Sequence, residues 1–287
     1  MHLKRLALVL VGLALTAAPT AASAQDAGPT PNEEIVVVGE RTLEEQVRAF
    51  VESFSLPPSG EDQLARWDTH ICAGIVGLRR SQGQFIADRI SARAAEVGLQ
   101  PRGPGCRANL IVFFAPNPDL FARTLIDQYP AFVGYGGPGT RGARELEAFT
   151  DSPRPVRWWH VAFDVRRTWS AGGGARGAAL GALTHVHRQD IDRVIIIVNA
   201  YRASGKRVES VADYLAMVGL AQIDPEADAA PYDTILNLFS SRQPIPTTLT
   251  AWDEAYLSGL YDMSRTAYHS ERQEEQIGNS MMETLHQ

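Results

Sequence analysis

Two histidines at alternate positions, His185 and His187, have the spacing in this chain that best suits a metal site. If the segment is extended, both rings project from one face and can bind one zinc ion, with His160 or Asp190 as a third ligand. A solvated loop that carries both histidines is the alternative, because two ligands are too few to define a zinc site. The pair raises one functional hypothesis, an active metal-dependent hydrolase.

The two cysteines of the chain, Cys72 and Cys106, are expected to form a disulfide bond. They lack C-x-x-C spacing, and an oxidising compartment would favour their pairing. Such a bond would stabilise the fold by about 3 kcal/mol. Metal binding or use as a nucleophile is the alternative.

Residues 211–222 are predicted to form a helix around which the rest of the domain is organised. Apolar residues recur at helical spacing from Val211 to Val218. Ser210 is the expected N-cap, and Gly219 is the expected C-terminal stop.

This helix resembles the active-site helix of zincin metallopeptidases, whose pattern is H-E-x-x-H-x-x-G-x-x-H/D. The pattern places two histidines one turn apart to chelate zinc, and its glutamate takes a proton from the metal-bound water. The corresponding positions here are Ala212, Asp213, Ala216, Gly219 and Gln222. Two alanines cannot bind a metal, Asp213 is a shorter acid, and Gln222 offers a weak neutral oxygen.

The resemblance therefore implies a zincin-like fold with a degenerate site that holds no catalytic residue, metal or cofactor. An ordinary amphipathic core helix is the alternative. Downstream, metzincin-type zincins and similar exported bacterial proteins continue with a short turn and a helix of the form L-S-x-x-D-x-x-x-L-x-x-L-Y. The segment from Thr250 to Tyr261 has the matching order, with Thr250 as the expected cap.

The first 24 residues have the three parts of a secretory signal peptide. A basic pair at Lys4 and Arg5 precedes an apolar stretch at 6–18 that is too short to span a membrane comfortably. Small residues at 22–24 form the cleavage site. We therefore expect a periplasmic or secreted protein with no membrane span after signal cleavage.

The composition fits one globular domain. The chain has 287 residues, 45% of them hydrophobic, and a formal net charge of −6. This acidic balance argues against a nucleic-acid binder, which needs a clustered basic surface. We expect a flexible lead and edge strand at 25–41 and a single α+β domain at 42–287.

Residues 33–39 resemble the acidic and then β-branched segment near the mature N-terminus of TonB-dependent outer-membrane receptors. The run Ile35 to Val38 is either an edge strand of the domain's own sheet or an arm that pairs with a partner's sheet. The second reading makes the protein an accessory of an envelope receptor or transport system.

The remaining patterns predict a small mixed sheet packed by helices, with a helical C-terminal part. Strand, helix and strand at 71–76, 82–97 and 110–114 form a predicted βαβ unit. The aromatic density of residues 156–164 suits either a core strand or the wall of a binding cleft. The other predicted elements are helices at 42–53, 118–128, 141–149 and 263–285 and a buried strand at 194–198.

These expectations converge on an exported, non-catalytic, zincin-like protein. It is predicted to bind a peptide or a cell-envelope partner in the former substrate groove between the sheet and the helix at 211–222.

Overall fold

The computed structural model describes residues 41–57, 63–68, 70–134, 140–165, 167–168, 185–186, 188–264 and 269–286. The predicted signal peptide, the Ile35 to Val38 arm and His187 lie outside the described residues. In the part that is described, the predicted α+β class with a small mixed sheet is confirmed.

Among the described residues, the first secondary-structure element is a helix and the last two are helices. The strands are β1 (Ala73–Val76), β2 (Leu110–Ala115), β3 (Val156–Asp164), β4 (Arg167–Thr168), β5 (His185–Val186) and β6 (Gln189–Asn199). The helices are α1 (Leu43–Phe54), α2 (Arg80–Glu96), α3 (Pro118–Gln128), α4 (Ala143–Thr150), α5 (Ala200–Ala203), α6 (Val208–Leu220), α7 (Ala251–Asp262) and α8 (Ser270–Leu285). A 3-10 helix spans Ile235–Phe239.

The main sheet has four strands in the order β1-β2-β6-β3. The first three strands run parallel, so β1, α2 and β2 form the predicted βαβ unit. Strand β3 pairs with β6 in the antiparallel direction and forms the far edge. Strands β4 and β5 pair separately.

Strand β6 is an inner strand of the sheet, and both of its faces are covered. Val194, Ile196 and Val198 lie in the main core with α1, α2, α6 and α7. Ile195 and Ile197 lie in a second core with residues of α3 and α4. The sequence of a strand covered on both faces is a continuous apolar run, and this explains the five β-branched residues at 194–198.

The central helix α6 is buried on every side from Ser210 to Leu220. Its predicted limits were wrong by about a turn at the start, since the helix begins at Val208 after an N-cap at Arg207. The Ser210 hydroxyl does not cap the helix but donates to the carbonyl of Thr247. Gly219 lies inside the helix rather than at its end.

The helical C-terminal part consists of α7 and α8, which pack against each other. Helix α8 also packs against α1. Thr250 caps α7, as predicted, and forms a capping box with Asp253. The predicted helix at 263–285 starts later, at Ser270, because Met263 is the C-cap of α7.

The disulfide between Cys72 and Cys106 is present and joins the start of β1 to the segment before β2.

None of the helices in the described ranges is both long and apolar enough to cross a membrane.

Candidate functional site

The five positions of the degenerate pattern do not share one open cleft. Ala212 and Ala216 are 0% exposed in the main core. Gly219 faces β2, where an added Cβ would lie 2.7 Å from Cδ1 of Leu110. Glycine at this position therefore allows α6 to pack closely against the sheet. Gln222, just beyond the helix, lines a cavity.

Asp213 is a fully buried carboxylate bound by two arginines of α2. Arg89 donates to both carboxylate oxygens at 2.8 Å, Arg93 donates at 3.0 Å, and the Thr248 hydroxyl donates at 2.5 Å. Burial alone would raise the pKa of Asp213, but hydrogen bonds from Arg89, Arg93 and Thr248 outweigh it and hold the pKa well below its usual range. Asp213 is therefore a structural anion whose oxygens are occupied.

A cavity of about 390 Å³ lies beside β3, and we call it the edge groove. One wall is a stripe of α4 and its flanks, from Arg141 to Ser152. The other wall is the segment 222–226 that follows α6. The floor consists of four consecutive residues of β3, from Arg157 to His160.

The position of the edge groove follows from the alternation of side chains along β3. Trp158 packs in the main core and Trp159 packs in the second core, so their side chains point to opposite faces of the sheet. Both nevertheless line the groove. The groove must therefore run along the outer edge of β3, between the two layers that cover the sheet.

The backbone of β3 presents hydrogen-bonding groups to this groove. The Asn199 N–H donates to the Pro155 carbonyl, so residues 155, 157 and 159 direct their backbone groups toward β6. The N–H and C=O of Trp158 and His160 point the other way. Among the described residues, no other segment forms a backbone hydrogen bond with these outward groups.

Buried polar atoms without partners cluster at the edge groove. In the part of the chain that the structure describes, four buried side-chain atoms lack a hydrogen-bond partner. Three of them belong to groove residues: Nε of Arg157, Nε2 of His160 and Oε1 of Gln222. These three residues are 3%, 5% and 5% exposed. Unpaired buried polar atoms are costly, so the three groove residues that carry them are candidates for contact with a ligand or an ordered water.

His160 is neutral at physiological pH. Burial lowers the pKa of its imidazole to about 4, and the backbone carbonyls of Val218 and Ala221 only partly oppose this shift. Its ring can therefore accept a hydrogen bond at one nitrogen while donating at the other.

Some charged residues of the groove already form an ion pair or a hydrogen bond within the protein, and others do not. Within the described ranges, Arg141, Arg144 and Glu145 have no ion pair. On the opposite wall, Glu226 pairs with Arg154 at 3.3 Å. The carboxylate of Asp224 accepts from the Glu226 N–H.

The histidine pair is only partly described. His185 lies in β5, whereas His187 lies outside the described residues. Asp190, one candidate for a third ligand, is bound by the guanidinium of Arg188. No group of three or more histidine, cysteine or acidic residues that could hold a metal occurs among the residues described.

From the sequence, Gln222 was a position of the degenerate zincin pattern and His160 was a possible ligand beside His185 and His187. The sequence did not predict that Gln222 and His160 line one cavity. It also missed Arg141 and Arg144. The aromatic density of residues 156–164 was the available signal. Trp158 and Trp159 are buried, as a core strand predicts, and they also line the groove.

Comparison with known proteins found no matching family model, no matching curated protein and no matching solved structure.

Proposed function

We propose that this protein is an exported, non-catalytic, zincin-like protein that binds a peptide segment, free or displayed by a cell-envelope partner, in the edge groove. The observation that carries the proposal is that three residues lining one cavity beside the edge strand β3 each carry a buried polar atom without a partner. A ligand with its own donors and acceptors would complete these hydrogen bonds.

An extended peptide is the ligand that suits this geometry. The outward N–H and C=O groups of Trp158 and His160 provide a ladder for one more strand. Addition of a strand to a sheet edge gives affinity through main-chain hydrogen bonds, and flanking pockets give specificity. The walls formed by α4 and residues 222–226 would contact the side chains of the bound segment.

The absence of catalysis follows from the proposed descent from a zincin site. The two alanines at 212 and 216 supply no metal ligand, and Asp213 is occupied by Arg89 and Arg93. The zincin relation itself rests on the sequence resemblance alone. That relation remains a prediction, as does export to the periplasm.

Peptide binding to the purified mature protein tests the proposal. Short peptides selected from a random display library would be synthesised and titrated by calorimetry. Ala148 is exposed and lines the groove, so Ala148→Trp should fill the groove and weaken binding by about tenfold or more. Ala143 is exposed on the same helix but is not part of the groove lining, so Ala143→Trp is the matched control.

Amide hydrogen exchange tests the binding mode. In the free protein, the outward amides of Trp158 and His160 should exchange faster than the amides of Arg157 and Trp159, which bond to β6. A bound strand should slow exchange at Trp158 and His160 selectively. Failure of every selected peptide to bind, or equal binding by the two tryptophan variants, would refute the proposal.

Metal analysis separates this function from the hydrolase hypothesis. Protein purified without added zinc is expected to contain no stoichiometric metal. Stoichiometric zinc that disappears when His185→Ala and His187→Ala are combined would favour the hydrolase instead.

A further inference from the structure

Two of the unpaired buried atoms of the edge groove lie on the same side of β3. Side chains alternate along a strand, so His160 points to the same face as Trp158, which packs in the main core. Gln222 follows helix α6, which packs in that core as well. Arg157 points to the opposite face, toward α4, so its unpaired Nε belongs to another part of the groove.

Contacts on both sides of Gln222 hold it beside His160. The Trp158 indole donates to the Ile223 carbonyl at 2.9 Å. The Ala221 carbonyl accepts from the imidazole of His160. The Ile223 N–H donates to the Ala221 carbonyl at 3.0 Å, which closes a tight turn with Gln222 at its centre. Because these contacts flank Gln222, its side chain is fixed next to His160.

Both unpaired atoms are hydrogen-bond acceptors. Oε1 of Gln222 is an amide oxygen. The imidazole of His160 donates to backbone carbonyls at the end of α6, and since Nε2 has no partner, Nδ1 is the nitrogen that donates. Nε2 of the neutral ring is therefore left as an acceptor. His160 and Gln222 are each 5% exposed, so bulk water does not satisfy either acceptor.

An uncharged NH₂ group is the ligand group that suits two neutral acceptors. The carboxamide of an Asn or Gln side chain has two N–H donors on one nitrogen, so it can donate to both atoms at once. A hydroxyl has one donor, and a carboxylate has none. An ammonium group would exchange its water for two neutral acceptors, which does not offset the cost of burying a charge.

We propose that His160 and Gln222 form a subsite of the edge groove that selects peptides with an Asn or Gln side chain. This inference rests on the proposed function, since it names the residue that the same groove recognises in a bound strand. In an added strand, the residue opposite His160 projects its side chain to the same face of the sheet as His160. Its carboxamide therefore reaches both acceptors while the peptide backbone pairs with β3.

Peptide variants test this selectivity. Peptides recovered from the random library should share an Asn or Gln at one position. Replacing Gln there by Met, or Asn by Leu, keeps the size and removes both donors, so calorimetry should show binding weaker by about tenfold. Replacement by Glu or Asp should weaken binding at least as much, because a carboxylate would face two acceptors.

Gln222→Met is the matching change in the protein. It removes an unpaired buried acceptor and keeps the length of the side chain, so the free energy of unfolding in urea should not fall. Affinity for the carboxamide peptide should fall by about tenfold, whereas affinity for its Met or Leu counterpart should stay the same. A less stable protein with unchanged selectivity would show a structural role for Gln222 and overturn the inference.

Gln189→Met is the matched control, because Gln189 is 3% exposed and also carries an unpaired Oε1. It lines a separate cavity of about 10 Å³ that shares no residue with the edge groove. This substitution should leave the affinities for both peptides unchanged. Equal losses from Gln189→Met and Gln222→Met would show an indirect effect and contradict the proposed subsite.

Nitrogen-15 NMR of the His160 imidazole tests the second acceptor, with the signals assigned by their loss in His160→Gln. In the free protein, Nε2 should have the chemical shift of an unprotonated nitrogen and Nδ1 that of a protonated one. Binding of the carboxamide peptide should change the Nε2 shift, and binding of the Met or Leu peptide should not. A protonated Nε2 in the free protein would refute the pair of acceptors.

The remaining outcomes separate this inference from the function on which it rests. Equal binding of the carboxamide and apolar peptides, still blocked by Ala148→Trp, would show that the subsite holds only water. That result would overturn the selectivity but retain peptide binding. Tighter binding of a peptide with Lys at the selected position would identify an ammonium ligand and overturn the choice of a carboxamide. Binding of no peptide at all would remove both proposals.

Discussion

At the scale of single residues, some buried polar groups have hydrogen-bond partners inside the protein and others have none. Asp213 lies deep in the core and accepts from Arg89, Arg93 and Thr248, so its charge is balanced inside the protein. His160 is as deeply buried but has an unpaired Nε2 beside the edge groove. A balanced charge indicates a structural role, whereas an unpaired acceptor or donor at a cavity indicates a ligand.

Asp213→Ala should destabilise the fold because it leaves two arginines without their shared anion. Removal of one partner from a fully buried pair costs about 3–5 kcal/mol, and the partial exposure of Arg89 lowers the expected loss to about 2 kcal/mol. Urea unfolding would measure it. Asp127 is exposed on α3, so Asp127→Ala should change the free energy of unfolding by less than about 0.5 kcal/mol. Equal effects of the two substitutions would contradict a structural role for Asp213.

His160 should make stability depend on pH. Because burial lowers its pKa from 6.5 to about 4, the unfolded state binds a proton between these values that the folded state excludes. Its contribution is present above the unfolded pKa and is lost as the pH falls toward the folded pKa. Between about pH 7 and about pH 5 the wild-type protein should lose about 2 kcal/mol more than His160→Gln, as measured by urea unfolding. Parallel pH profiles for the two proteins would show that His160 is not buried in the neutral form.

At the scale of elements, the disulfide constrains the βαβ unit. Cys72 and Cys106 are 34 residues apart, and the bond holds the start of β1 near the segment that enters β2. Closing a loop of this length in the unfolded chain should contribute about 3 kcal/mol. Reduction of the wild-type protein should lower the free energy of unfolding by this amount. The variant with Cys72→Ala and Cys106→Ala should not respond to the reductant, and a response there would indicate an effect unrelated to the disulfide.

At the scale of the whole molecule, the sheet order brings distant segments to one groove. Because β6 lies in the centre, β3 becomes an edge strand whose outer side faces α4 and the segment after α6. The hydrogen bond from the Trp158 indole to the Ile223 carbonyl fixes one wall against β3. Peptide binding by strand addition therefore depends on the complete domain rather than on any single element.

Much of the local structure could be predicted from the sequence. The cap at Thr250, the βαβ unit and the paired cysteines all follow from signals within a few residues or from residue type alone. The limits of α6 could not be predicted in this way. Its sequence suggested a cap at Ser210 and a stop at Gly219, but packing on every side decided both ends.

The sequence by itself indicated the four strands of the main sheet and the longer helices that pack on it, because hydrophobic period and turn chemistry are local properties. Only the tertiary structure decided that Gln222 and His160 line one cavity while Ala212 and Ala216 are sealed in the core. It also decided that Asp213 meets arginines of α2 rather than a cleft. Whether a polar atom finds a partner depends on segments far apart in the chain, and no local pattern encodes their meeting.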